Sequence, residues 1–275
     1  MSHSLPQKHT TLKNYLKSLK SVAVAFSGGV DSTFLLATAH EVLGDGAVAV
    51  SAASPLVPER ELSDAQEFCR ARGIAHHVIR FADDKFPFLQ SNPPERCYIC
   101  KKIIFTEILR WARENGFAAV AEGSNKDDDK DYRPGRRAIA ELKIHSPLQQ
   151  AELYKAEIRG LSNEMNLPTW DKPSAACLAS RFPYGEAIGK HELMMVDGAE
   201  KFLRDDGYRD VRVRIHGGKL ARIEVAPEDF ARLMAERETV CTAIKNFGFL
   251  YVTLDLQGYR LGSMNETIKE VIVNE

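Results

Sequence analysis

The sequence predicts an α/β protein, a parallel sheet covered by helices on both faces, followed by a smaller α+β domain. Over roughly the first 150 residues, short apolar runs of strand composition alternate with helical segments. Between the first run and the first of these helices lies Ser27-Gly28-Gly29-Val30-Asp31-Ser32, a glycine-rich turn. Beyond about residue 188 the texture changes to alternating apolar and basic residues.

In chain order, a short lead-in is followed by a helix over 12–19 and a strand over 22–26. Residues 33–43 fit a helix whose apolar stripe includes Phe34, Leu35 and Leu43. A buried strand at 47–53, a helix at 59–72 and a strand at 76–80 follow. The helix at 101–115 turns Ile103, Ile104, Ile108 and Trp111 inward, and 118–122 is a fourth strand. Residues 146–166 read as one helical stretch, and 167–173, with two prolines, as a break. Next come a helix at 192–203, a strand at 211–215 paired with 220–225 across His216-Gly-Gly-Lys219, a helix at 229–246 and a strand at 251–256. Domain boundaries are expected at 1–168, at 169–190 for a linker and active-site segment, and at 191–275 for a substrate-binding α+β domain.

The 275 residues are 44% hydrophobic and 27% charged, enough for a core and a soluble surface. A net charge of −1 argues against coating nucleic acid by charge alone, and no nucleic-acid partner is expected. No apolar run approaches the roughly 20 residues a membrane span requires. The basic N-terminus lacks the apolar core of a secretion signal, which points to the cytoplasm.

A glycine-rich turn between a buried strand and a helix start is an anion site, because backbone N–H groups and the helix dipole favour negative charge there. Ser27 and Ser32 add hydroxyl donors, and Asp31 is placed to hold Mg²⁺ against the same phosphates. No Gly-Lys-Ser/Thr closes the loop, so this is not a Walker site. The bland alternative is an ordinary Ser/Gly turn.

The five cysteines, at 69, 97, 100, 177 and 241, do not form a secreted disulfide framework. Cys69 and Cys241 fall among apolar neighbours on expected helices and read as core. Cys97 and Cys100 form a C-x-x-C pair at a loop-to-helix junction, and Cys177 is remote in sequence. A redox disulfide, a structural zinc with an unidentified fourth ligand, an iron–sulfur cluster and three unrelated thiols all compete. Three thiolates leave one iron of a [4Fe-4S] cluster open to carry a sulfide, which favours the cluster.

The SGGVDS loop resembles the signature of the ATP pyrophosphatase (PP-loop) family, an adenine nucleotide alpha hydrolase-like fold. That family includes the GMP, NAD and asparagine synthetases and several tRNA thiolases. The resemblance implies cleavage of ATP between the α and β phosphates. Together with GSNKDDDKDYRPG (123–135), SRFPYG (180–185), VRVR (211–214) and GYRLGSMN (258–265), the chain resembles the LarE family of ATP-dependent sulfur transferases. The implied substrate is pyridinium-3,5-biscarboxylic acid mononucleotide, adenylated and converted to thiocarboxylates for the nickel-pincer nucleotide of lactate racemase. A sulfide source and a homo-oligomer are implied as well.

Ser27, Gly28, Gly29, Asp31, Ser32, Asp131 and Arg133 are then expected at ATP. Asp127, Asp128, Asp129 and Asp131 either hold metal, order the loop or, for the middle aspartates, form a solvated charge run. Arg212 and Arg214 share a strand face, suited to the substrate phosphate or a carboxylate unless that face is merely solvated. Ser180, Arg181 and Arg260 are further substrate-binding candidates, and Cys177, Asp31, Arg212 and Arg214 the catalytic ones. The best-known family pattern consumes a donor cysteine at a position that here is Ala176, and it lacks the C-x-x-C pair. This departure resembles the iron–sulfur branch, with Cys97, Cys100 and Cys177 as ligands. Cys177 as a sacrificial sulfur donor, or a tRNA thiolase, is the alternative, and a nucleotide- or nickel-binding module lies outside catalysis.

Overall fold

The computed structural model describes residues 4–130, 134–173, 176–260 and 262–266. The chain forms two compact units, Met1–Lys85 with Glu95–Ala175, and Phe86–Pro94 with Ala176–Glu275. The division between Ala175 and Ala176 falls inside the stretch expected as a linker, and 86–94 joins the C-terminal unit.

The first unit holds a four-stranded parallel sheet in the order β3-β2-β1-β4. Its strands are β1 (Val22–Ala25), β2 (Ala47–Ala53), β3 (His76–Arg80) and β4 (Ala119–Ala121). Its helices are α1 (Leu5–Ser18), α2 (Val30–Leu43), α3 (Glu59–Ala71), α4 (Arg96–Glu114), α5 (Gly135–Glu141), α6 (Pro147–Gln150) and α7 (Lys155–Glu164). Alternation along the strands sends Val22, Val24, Ala47 and Ala49 to one apolar layer with Leu12, Phe34, Leu35 and Ile158. Ala23, Val48 and Val50 go to the opposite layer with Phe105, Ile108 and Ile139. Both sheet faces are therefore covered, which is why the strands read as continuous apolar runs.

Several local expectations are corrected. The first helix begins at Leu5, because Ser4 N donates to Gln7 Oε1 at 2.8 Å and Pro6 opens the first turn. Helix α2 starts inside the glycine loop and is buried nearly all round, without the narrow stripe expected. The 146–166 stretch is broken into α6 and α7, with Glu152 at φ +56° between them. Helix α5, which begins at Gly135, the last residue of the 123–135 motif, was not foreseen.

The second unit contains α8 (Lys190–Asp205), β5 (Arg212–His216), β6 (Leu220–Glu224), α9 (Phe230–Ala235), α10 (Arg237–Asn246) and β7 (Tyr251–Leu254). The expected 229–246 helix divides at Glu236, whose carboxylate accepts hydrogen bonds from Tyr208 (2.7 Å) and Arg232 (3.0 Å). The sheet order is β5-β6-β7, antiparallel then parallel. The 86–94 segment is fastened by Ile188 N to Leu89 O (2.7 Å) and Asn92 Nδ2 to Pro183 O (2.7 Å).

Candidate active-site residues in the two units

In the first unit the chain runs β1-β2-β3 to one side and returns to place β4 on the other side of β1. The strand order reverses between β1 and β4, so a ligand crevice is expected at their carboxyl ends. The Ser27–Ser32 loop leaves β1 there, and Gly123-Ser124-Asn125 leaves β4. Gly28 has φ +68°, a conformation that disfavours a side chain. Gly29 caps α2, and the first helical bond is Thr33 N to Gly29 O at 2.9 Å. Ser27 Oγ and Ser32 Oγ lie 3.1 Å apart, and Ser32 Oγ donates to Gly29 O at 3.2 Å, which draws the loop into a compact turn. A Cβ on Gly123 would stand 3.0 Å from Ser32 N, so a glycine here lets the chain leaving β4 pass closely against the first turn of α2.

Asp31 faces this crevice-side turn from the start of α2. Its Oδ2 accepts from Lys155 Nζ at 2.6 Å and its Oδ1 from Asn125 Nδ2 at 3.4 Å. The 123–130 segment is ordered by its own acids. Asp128, which is buried, accepts from Asn125 N at 3.0 Å. Asp127 Oδ2 accepts from Lys155 N at 2.8 Å, and Asp129 pairs with Lys126 (2.8 Å) and Arg136 (2.7 Å). Buried Asp128 departs from the solvated-run reading, whereas Asp127 and Asp129 stay exposed, Asp127 seating the first residue of α7 and Asp129 paired with its basic neighbours. Asp131 and Arg133 lie outside the described residues. Lys172 Nζ donates to Gly28 O at 3.3 Å and pairs with Glu61 at 3.2 Å. Lys155, Lys172 and Asn125 escaped the sequence reading, because a single lysine or asparagine carries no local pattern.

In the second unit, Arg212 and Arg214 are both 4% exposed on the same face of β5, which overturns a solvated strand face. Arg214 donates to Glu224 Oε2 (2.7 Å), Ser263 Oγ (3.0 Å) and Ser180 O (3.0 Å). The Arg212 guanidinium lies 5.0 Å from the centre of the Tyr259 ring. Burial and the charge of Arg181 push its pKa down. Arg181 makes a two-pronged pair with Glu200, both contacts 2.7 Å, and donates to Ala176 O (2.7 Å) and Cys177 O (3.1 Å). Its guanidinium, like that of Arg214, is engaged with protein groups. Arg260 pairs with Glu266 at 2.5 Å. Burial works to raise the Glu200 pKa, but the charge and hydrogen bonds of Arg181, with Arg204 and Arg212, bring it down to about 2.

Cys97 and Cys100 are the second and fifth residues of α4, exposed and half-buried respectively. Cys177 is exposed, directly before the short 3-10 turn Leu178–Arg181. Cys69 is core, and burial pushes its thiol up to about 12. Cys241 is only half-buried, a correction to its expected core position. Among the described residues, no group of three His, Cys, Asp or Glu side chains is arranged to hold a metal ion. Among them, too, no helix is long and apolar enough to cross a membrane.

The asparagine synthase family matches residues 10–91. A pyridinium-3,5-bisthiocarboxylic acid mononucleotide synthase of Lactiplantibacillus plantarum is 38% identical, covering 96% of this chain and 96% of its own length. An uncharacterized protein of Synechocystis sp. is 42% identical over 96% of this chain and 99% of its own. A tRNA-specific 2-thiouridylase of Desulforamulus reducens is 26% identical over 57% of this chain and 53% of its own.

Proposed function

Because the chain belongs to the LarE family, we propose that this ATP-dependent sulfurtransferase converts the carboxylates of pyridinium-3,5-biscarboxylic acid mononucleotide to thiocarboxylates in nickel-pincer nucleotide synthesis. The observation that carries the reading is the near full-length similarity to the L. plantarum synthase, joined to the Asp31–Lys155 pair at the glycine loop.

Activation comes first. A substrate carboxylate oxygen attacks the α-phosphorus of ATP, the bond to the bridging oxygen breaks, and pyrophosphate leaves with its electron pair. Negative charge then develops on pyrophosphate. The N–H groups at the start of α2 and the ammonium of Lys155 are suited to offset it. Asp31 would hold Mg²⁺; a single carboxylate plus phosphate oxygens is the usual donor set for this ion, and Asp31 fits it. Arg212 and Arg214 are the proposed anchors for the substrate phosphate.

Sulfur enters second. A sulfur nucleophile attacks the acyl carbon of the adenylate, and AMP departs with the former carboxylate oxygen. The cluster reading rests on the donor chemistry of Cys97, Cys100 and Cys177, three thiols none of which is buried like Cys69, and not on a metal-holding arrangement, which the described residues lack. Held by these three thiolates, a [4Fe-4S] cluster would offer one iron without a protein ligand, a place suited to sulfide from an external source. The alternative is sacrificial. The Cys177 thiolate attacks the acyl carbon, then loss of its Cα proton and cleavage of its Cβ–S bond release thiocarboxylate and leave dehydroalanine.

The reading includes a cytoplasmic homo-oligomer. A tRNA thiolase is the second reading, favoured by the 2-thiouridylase similarity. Anaerobic protein given ATP, the pyridinium nucleotide and sulfide is expected to release pyrophosphate and form thiocarboxylate. Thiolation of unmodified tRNA in place of the nucleotide would overturn the choice.

A further inference from the structure

Glu200 lies on α8, is fully buried, and is bonded to three different parts of the second unit. Its two oxygens take the Arg181 fork at 2.7 Å each; Oε1 also accepts from Val213 N at 3.1 Å, and Oε2 from Arg204 at 2.5 Å. Val213 separates Arg212 from Arg214 on β5. On the other side of the fork, Arg181 donates to the carbonyls of Ala176 and Cys177 and to Ser180 Oγ (2.8 Å). Arg214 supplies a second tie through Ser180 O. One buried carboxylate thus connects the backbone that carries Cys177 to the strand that carries both buried arginines.

This network is costly to build. A buried ion pair contributes little net stability against an apolar replacement of the same volume, so fold stability is a weak reason for it. Geometry is the better reason. An arginine fork fixes both the distance and the plane of what it holds; here the fork grips Glu200, and Nη1 of the same rigid plane donates to the carbonyls at and beside the cysteine.

We propose that Glu200 and Arg181 are a positioning pair that sets the Cys177 segment in register with Arg212 and Arg214, and so governs the sulfur step more than the adenylation step. The inference rests on the reading in which Cys177 carries or holds the transferred sulfur. Arg181 is accordingly a positioning residue and not a substrate ligand.

The test compares thiocarboxylate formed per pyrophosphate released in the wild type, Glu200→Gln, Arg181→Lys and Arg204→Ala. Glu200→Gln and Arg181→Lys are expected to lower that ratio on the order of tenfold or more, because small displacements of reacting groups have large kinetic effects. Arg204→Ala, which removes a Glu200 partner with no bond to the cysteine segment, is expected to keep the ratio. Equal loss of both products in all three variants, or an unchanged ratio in Arg181→Lys, overturns the proposal. Should Glu200→Gln fail to fold, Arg181→Lys decides alone. The alkylation rate of Cys177 by iodoacetamide, read by mass spectrometry, separates this idea from the wider one. If the wild type makes no thiocarboxylate, the functional reading fails. The pair then stands only if Arg181→Lys changes that rate, and it falls if the rate is the same.

Discussion

Lys155 Nζ stands 2.6 Å from Oδ2 of Asp31, joining the first turn of α7 to the first turn of α2 across 124 residues of sequence. The two charges are partly exposed, at 30% and 23% of their side-chain surface, so screening by water leaves the pair with little weight in stability. Its value lies in holding an ammonium and a carboxylate beside the glycine loop before the polyphosphate arrives.

Replacing Lys155 by methionine, or Asp31 by asparagine, is therefore expected to leave the thermal midpoint nearly unchanged while slowing pyrophosphate release about 100-fold. Calorimetry and a pyrophosphate assay on the same samples check this. Loss of the fold with loss of activity would make the pair structural.

Gly123→Ala acts on the close approach of the chain leaving β4 to the first turn of α2. The new Cβ meets Ser32 N at 3.0 Å, backbone that cannot swing aside, so the loop must shift. A cost of about 1–3 kcal/mol is expected from overpacking, together with weaker ATP binding. Denaturant titration and ATP titration by calorimetry measure the two effects; wild-type ATP affinity would show that the loop tolerates the shift.

The sheet was legible because β1 and β2 are buried on both faces and are therefore apolar at nearly every position. The turn into α2 was legible for a related reason, since a glycine pair followed by Asp and Ser stands out between a strand and a helix. The break between α6 and α7 was hidden, as Glu152 adopts φ +56° without being a glycine, closing a turn in which its N donates to Gln149 O at 3.0 Å. Nothing in the spelling of VRVR tells a solvated strand face from a buried one. That is decided by Glu224, ten residues on, and by Ser263, which lies 49 residues away. Lys155 and Glu200 were invisible for the same reason: each acts through a partner far off in the sequence.

Glu200 gives the second unit an acid-sensitive element. Its pKa falls from an ordinary 4.5 to about 2 in the folded state. A depressed carboxylate pKa stabilises the fold fully above the unfolded value, and the contribution is lost as pH falls through the folded one. The expected loss is on the order of 3 kcal/mol between about pH 5 and pH 2. Stability measured against pH should show a shallower acid limb in Glu200→Gln than in the wild type; parallel limbs would remove Glu200 as the cause.

Cys177→Ser is expected to abolish thiocarboxylate formation while retaining pyrophosphate release. Intact mass and metal analysis then divide the two sulfur supplies. Iron and acid-labile sulfide in anaerobic wild-type protein, lowered by single changes at Cys97, Cys100 or Cys177, accompany the cluster. Loss of the elements of H₂S from Cys177 after one turnover marks the sacrificial route instead.

The central claim is that sulfur replaces an oxygen of a carboxylate that has first been joined to AMP. Substrate carrying heavy oxygen in its carboxylates tests this directly, with AMP and the nucleotide product analysed by mass spectrometry. One labelled oxygen in AMP for each sulfur inserted is the result expected. Sulfur insertion with unlabelled AMP, or label in pyrophosphate, contradicts the account.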